Sequence, residues 1–227
     1  MSARDWAIDK LTEEREHRLD RTPWAITKVG DSGFTVERHR MPDAHVYCPD
    51  GITGLFTVAD LKQSLREFPE ARFIVVFRRG AANDVYPFAE QRGVAVGRLG
   101  ELSSALEHST DISKFVARER SYVAKRLNTN PAVRDWSRVG EDAYQITRTR
   151  VTPEILTVAT FDTYEATADQ LLSILDRYDD LGLDAIIATN PSTGGFAEAA
   201  VDVARNAGVR LMLMNEFVAE LSRSWKG

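Results

Sequence analysis

Apolar and polar positions divide the first half of the chain into a regular series of elements. Arg4 to Leu19 is a charged segment that predicts a helix, stopped at the Asp20-Arg21-Thr22-Pro23 turn because proline drives its predecessor out of the α region. Two strands are expected around Gly30-Asp31-Ser32-Gly33, where the glycine-rich turn reads as a hairpin even though the alternation through Phe34, Val36, His39 and Met41 is imperfect. A third strand, Ala44 to Cys48, ends at the Pro49-Asp50-Gly51 break. Val58, Leu61, Leu65 and Phe68 then recur at spacings of three and four, which predicts a helix, and Phe73 to Phe77 is the continuous apolar run of a strand buried on both faces. A helix ending at Gly93, a strand Val94 to Val96 and a short helix Glu101 to Leu106 complete the series.

The second half repeats it. Leu19 and Pro23 match Leu127 and Pro131 at an offset of 108, and Val29-Gly30-Asp31 and Phe34 match Val139-Gly140-Glu141 and Tyr144 at 110. Leu61, Leu65 and Phe68 match Leu171, Leu175 and Tyr178, again at 110; Ile74 matches Ile186 at 112; Gly93-Val94, Glu101 and Leu106 match Gly208-Val209, Glu216 and Leu221 at 115. The offset grows only where a loop takes an insertion, as in a diverged duplication. In the second copy Ala185 to Ala188 is the buried strand, Ala197 to Asn206 the crossover helix, Gly208 its stop, Arg210 to Met214 the next strand and Glu216 to Leu221 the closing helix. The expected fold class is α/β: two tandem α/β sandwich units, residues 1–108 and 109–227, forming an internal pseudo-dimer.

The stretch Asp184-Ala-Ile-Ile-Ala-Thr-Asn-Pro-Ser-Thr-Gly-Gly-Phe-Ala-Glu-Ala-Ala, with Ala204-Arg-Asn-Ala-Gly-Val-Arg-Leu-Met-Leu and Asn215-Glu-Phe, resembles the C-terminal part of restriction-endonuclease-like domains of the Mrr type. Phe73-Ile-Val-Val-Phe, Ala89-Glu-Gln-Arg-Gly-Val-Ala-Val and Gly100-Glu-Leu carry a weaker form of it, so the resemblance covers nearly the whole chain. It implies a nuclease fold in a prokaryotic DNA-metabolism or defence setting. The family's chemistry uses an acidic residue on the second strand and Glu or Gln, a spacer and Lys on the third, to hold Mg²⁺ and activate water. Here the third strands read Ala44-His-Val-Tyr-Cys-Pro-Asp and Ile155-Leu-Thr-Val-Ala-Thr-Phe-Asp, without lysine, so the resemblance implies a degenerate nuclease with no cofactor.

Charge changes the picture in one segment. The chain has 227 residues and a net charge of −5, split almost evenly, with 15 basic and 17 acidic side chains in residues 1–108 and 14 and 17 in residues 109–227. Between Ile112 and Arg150, nine basic residues stand against four acidic ones, the one electrostatic footprint suited to DNA or RNA. A helix is predicted over Ile112 to Leu127, with Phe115, Val116, Val123 and Leu127 inward and Lys114, Arg118 and Lys125 together on the far side, where they could track phosphates or simply face solvent. Tyr122 and Trp136 could stack on bases or belong to the core. Cys48 is the lone cysteine, the N-terminal region has no apolar signal segment, and nowhere do about 18 apolar residues run together, which points to the cytoplasm and to no membrane partner.

Three further groups are candidates for chemistry. Glu37, Asp50 and Lys62 would have to converge to form a displaced Mg²⁺-dependent nuclease site; otherwise they are solvated charges. His39, His45 and Cys48 are metal-ligand types, but His45 and Cys48, three apart on a strand, point to opposite faces, so no metal site is assigned. The loop Asn190-Pro191-Ser192-Thr193-Gly194-Gly195 could hold an anion on its amides, or serve as a tight turn with Ser192 or Thr193 near an N-cap. Its counterpart, the loop from Arg78 to Asn83, is more basic, and Arg78 and Arg79 are expected to join Lys114, Arg118 and Lys125 in contacting nucleic acid, or else to hold a small anionic ligand or a partner. Three functions remain open on these grounds: a degenerate nuclease-fold protein that binds nucleic acid or a nucleic-acid-processing complex, a working nuclease with a displaced site, and a protein-interaction or ligand-sensing module.

Overall fold

A computed structural model of the chain describes residues 1–16, 24–51, 53–77 and 80–225. It divides into two compact units, Met1–Ala117 and Arg118–Gly227. Residues 109–117 thus lie in the first unit, beyond the division after residue 108 that the offsets predict.

The first unit runs α1 (Ala3–Glu16), β1 (Ala25–Val29), β2 (Gly33–Glu37), β3 (Ala44–Tyr47), α2 (Val58–Glu67), β4 (Phe73–Val75), α3 (Val85–Gln91), β5 (Ala95–Gly97) and α4 (Leu99–His108). Its strands form one sheet in the order β1-β2-β3-β4-β5. The predicted hairpin is present, with Val29 opposite Gly33 and Ala25 opposite Glu37. Its turn holds Gly30 at φ 53°, a conformation that only glycine adopts without cost. β2 and β3 are antiparallel, whereas β3, β4 and β5 run parallel, with α2 and α3 as crossovers. The end of the first predicted helix and its stop, with Leu19 and Pro23, lie outside the described residues.

Strand β4 is buried on both faces, as its apolar run requires. Phe73 and Val75 enter a core with Ala7 and Leu11 of α1, Phe34 and Val36 of β2, and Leu102 and Leu106 of α4. Ile74 and Val76 enter another with Leu61 of α2 and Tyr86 and Ala89 of α3. Each fully buried side chain of this size contributes about 2 kcal/mol.

The second unit runs α5 (Arg118–Asn128), β6 (Val133–Arg138), β7 (Ala143–Arg148), β8 (Ile155–Phe161), α6 (Ala168–Arg177), β9 (Ala185–Ala188), α7 (Glu198–Asn206), β10 (Arg210–Leu213) and α8 (Met214–Glu220). Its five strands are ordered by sequence, antiparallel for β6-β7-β8 and parallel for β8-β9-β10. Val123, Leu127, Tyr144, Ile146, Phe217 and Leu221 share one core, and Leu171, Ile186, Ala200 and Ala204 another. The fold class is therefore mixed α/β with two five-stranded sheets. No helix among the described residues is long and apolar enough to cross a membrane.

Local bonds recur at matched positions. Thr57 caps α2 by accepting from the Asp60 amide at 3.3 Å, as Thr167 caps α6 by accepting from the Gln170 amide at 3.3 Å. Glu101 reaches back to the Arg98 amide at 3.1 Å and Glu216 to the Leu213 amide at 3.0 Å. These glutamates sit at the third helical position, so α4 and α8 begin two residues before the predicted starts.

A buried arginine ends the second strand of each unit. Arg38 donates to the carbonyls of Pro42 (2.8 Å), Leu106 (3.5 Å), Ser109 (2.6 Å) and Thr110 (3.0 Å). Arg148, wholly buried, donates to Pro153, Leu221 (3.3 Å) and Arg223 (2.7 Å). Each guanidinium thus satisfies orphan carbonyls beyond a closing helix that has no intrahelical donors left to offer. Two residues further on, Arg40 and Arg150 both adopt left-handed backbone, at φ 58° and 60°.

The helix predicted over Ile112 to Leu127 is not continuous. Asp111 accepts from the Ser113 amide at 3.1 Å and closes a single 3-10 turn, Ile112–Lys114, after which Phe115 is extended at ψ 131°. Ile112 and Phe115 pack into the first unit's core, Val116 is exposed, and α5 starts at Arg118. In the first helices, Ala7 and Leu11 take the core role that Val123 and Leu127 take in the second unit, an offset of 116 in place of the 108 matched from Leu19.

Candidate ligand cleft

A candidate cleft lies in the first unit, outside the carboxyl ends of the parallel strands β3 and β4, where open α/β sheets commonly bind ligands. Pro49 stops β3, and Gly51 turns the chain away at φ 72°. The loop returns through Phe56, which forms a parallel bridge to Ala81 in the loop after β4. Phe56 donates its amide to Gly80 O at 3.1 Å and accepts from the Ala82 amide at 2.9 Å, zipping the two loops together. The start of α1 supplies the third wall. Ala3 donates its amide to Asp50 at 3.4 Å, and Trp6 packs edge-to-face on Phe77, with centroids 5.3 Å apart at 81°.

These segments enclose about 720 Å³, a volume suited to a small organic ligand. The lining is apolar and aromatic through Trp6, Phe56, Val76 and Phe77, with backbone at Gly51, Gly54 and Gly80. Asp50 is the one charged side chain among the described lining residues. Cys48 lies just behind, fully buried, and burial pushes its thiol well above the ordinary range, which suits a packing residue rather than a nucleophile.

The residues expected to form a displaced nuclease site do not come together. Glu37 ends β2 beside the start of β3, whereas Asp50 lies past the end of β3. Four paired residues separate the two levels, roughly 13 Å of strand. Lys62 is on α2 with its ammonium over the Phe88 ring at 5.1 Å. His45 bonds Thr35 Oγ1 at 3.1 Å and faces Phe68, while Cys48 enters the opposite core. No group of three or more His, Cys, Asp or Glu side chains among the described residues could hold a metal ion.

The predicted basic stripe is divided between units: Lys114 is in the first, paired with Asp111 at 3.6 Å, and Arg118 and Lys125 are in the second. Arg118 and Lys125 are exposed and seven positions apart on α5, which places them on one face. Tyr122 packs against the second unit's core, and Trp136 donates its indole N–H to Asn128 at 2.7 Å. Arg78 and Arg79 lie outside the described residues.

In the loop Ser192, Thr193, Gly194 and Gly195, the first three amides bond internally. Ser192 donates to the Asn190 side chain at 2.9 Å, Thr193 to Asn190 O at 3.2 Å, and Gly194 to Tyr164 O at 3.0 Å. Neither Ser192 nor Thr193 caps a helix, because α7 starts only at Glu198, with Ala197 at its cap. The loop is a turn braced by Thr193 Oγ1, which donates to Asn190 O at 2.7 Å and Thr163 O at 3.2 Å.

Sequence reasoning named Asp50 but missed Trp6, Phe56 and Phe77 as its neighbours. They come from three separate segments, and only the Pro49-Asp50-Gly51 break marked the place. Compared with protein-family models, curated proteins and solved structures, the chain matches none.

Proposed function

We propose that this protein is a non-catalytic binding module, in which the first unit holds a small ligand in the cleft between α1 and the loops after β3 and β4. The observation that carries this reading is the cleft itself: about 720 Å³ lined by Trp6, Phe56, Val76 and Phe77 on one hand and by Ser2, Thr53, Asp50 and glycine backbone on the other. Nucleophile, base and metal-ligand groups are not gathered there, so the described lining suits binding better than catalysis.

The same proposal includes the origin of the two units as diverged copies of one α/β sandwich of restriction-endonuclease-like type whose site has been lost. Shared strand order, shared caps at Thr57 and Thr167, and shared buried arginines at Arg38 and Arg148 support the copying. The missing strand lysines support the loss. A second reading, contact with DNA or RNA through α5, is favoured by the common exposed face of Arg118 and Lys125.

The test is a ligand-observed NMR screen of a small-molecule mixture against the wild-type chain and Gly54→Phe. Gly54 lines the cleft and a Cβ there meets nothing within 4 Å, so a side chain is accommodated at this position and a phenyl ring is expected to obstruct the site. Binding by the wild type that the variant loses supports the proposal; binding that survives in the variant, or no binding to either, contradicts it. Fluorescence anisotropy with labelled duplex at two salt concentrations addresses the second reading. It expects salt-sensitive binding that Arg118→Glu with Lys125→Glu removes.

A further inference from the structure

We infer that the ligand site belongs to the first unit alone: Pro49 opens the cleft there, and at the matching place in the second unit Thr189 and Thr193 tie the loops shut. This rests on the cleft being a ligand site and states which copy of the fold provides it. The two parallel ladders start level, since Val46 and Phe73 match Val158 and Ala185 at an offset of 112. In the first unit β3 and β4 pair only at Val46 with Phe73 and Tyr47 with Ile74. β8 and β9 pair at four positions, from Val158 with Ala185 to Phe161 with Ala188. The same offset puts Pro49 where the second unit has Phe161. A proline has no N–H to offer a neighbouring strand, so the first ladder stops and the chain segments beyond it part.

Past Phe161 the second unit's loops stay joined. Thr189 donates its amide and its hydroxyl to Phe161 O, at 2.9 and 3.1 Å. Thr193 Oγ1 donates to Thr163 O at 3.2 Å, the Gly194 amide to Tyr164 O at 3.0 Å and the Ala197 amide to Ala166 O at 3.4 Å. The Tyr164 ring covers Gly194, lying 3.7 Å from where a Cβ on that glycine would stand. Two of the rings that wall the cleft also give way to smaller side chains: Phe77 is matched by Thr189 at an offset of 112, and Phe56 by Ala166 at 110. Thr189 is buried, and its hydroxyl bonds the opposite loop. A ligand at this place would have to break the bonds that bridge the two loops. The units thus share a strand order and differ in role.

The test uses the full chain. Amide hydrogen exchange followed by NMR without ligand is expected to find Thr189 and Gly194 at least about tenfold slower than an unstructured peptide, with Gly194 faster in Thr193→Val than in the wild type. Exchange of both amides at the unstructured rate overturns the closure. Phenol, a small aromatic probe, is then titrated and backbone amide shifts are read. Shifts in residues 50–56 and 76–82 alone are expected; shifts that also reach, or lie only in, residues 161–166 and 189–197 overturn the assignment. Where phenol moves neither set, the tightest compound from the screen is read in the same way. A screen without binders ends the cleft reading and this assignment with it, whereas shifts in both sets end this assignment alone.

Discussion

Arg148 shows how much one side chain can hold in place. It lies wholly inside the second unit, bonded to the carbonyls of Pro153, Leu221 and Arg223, with its guanidinium 5.5 Å from the Trp225 ring. Arg148→Met keeps the apolar length and leaves those carbonyls without their donor. Urea unfolding should show a loss of about 3 kcal/mol, whereas an unchanged midpoint would contradict the role. Tyr144 gives the opposite case. Its hydroxyl is buried with no hydrogen-bonding partner among the described residues, and the matched position in the first unit is Phe34. Tyr144→Phe should stabilise the protein by about 1 kcal/mol in the same assay; marked destabilisation would mean that the hydroxyl is satisfied after all. Tyrosines also set the alkaline limit. Burial pushes Tyr178 up to about 12, and burial with the Glu67 hydrogen bond does the same for Tyr47, from an ordinary value of 10.0. The unfolded chain loses these protons near pH 10 while the folded chain keeps them until about 12, so stability falls as pH rises through that window. Unfolding midpoints measured from pH 9 to pH 12 should decline once pH passes about 10; a flat profile would contradict the shifts.

At the scale of elements, helix ends are set by side chains that reach back one turn. Thr57→Ala and Thr167→Ala should each cost about 1 kcal/mol in urea unfolding, since each threonine accepts from the third residue of its helix. An effect within error at both positions would mean that packing alone fixes these ends. Much of the element order was legible beforehand. The hairpin at Gly30, the buried runs at Phe73 and Ala185, and the stops at Gly93 and Gly208 all lie where period and glycine placed them, because burial and backbone sterics act locally. The break at Phe115 was not legible. Apolar residues at Ile112, Phe115, Val123 and Leu127 satisfy a helical period whether or not they face the same core, and here the first two belong to one unit and the last two to the other. Arg38 and Arg148 were missed for a related reason. An arginine at the end of a strand reads as a solvated charge, and only the carbonyls brought to it by a closing helix some 70 residues later make it a buried clamp, as the 71-residue and 75-residue separations to Ser109 and Arg223 show.

At the scale of the whole molecule, each core is closed within its own unit, Phe34 with Leu106 and Ile112 in the first and Tyr144 with Leu221 and Trp225 in the second. Residues 1–117 expressed alone should therefore give a cooperative unfolding transition and dispersed NMR signals; a chain without either would show that the first unit depends on the second. Glu37, Asp50 and Lys62 illustrate what a sequence leaves out at this scale, because strand direction puts Glu37 and Asp50 at opposite ends of β3 and leaves Asp50 with Trp6 and Phe77. The central claim, that the first unit binds a ligand at this cleft, is tested most directly by mapping backbone amide shifts across the full chain during titration with the tightest compound from the screen. The account predicts shifts concentrated in residues 2–6, 50–56 and 76–82, with little change from Arg118 onward. Shifts centred instead on α5 at Arg118 and Lys125, or on the loop at residues 190–195, would contradict it.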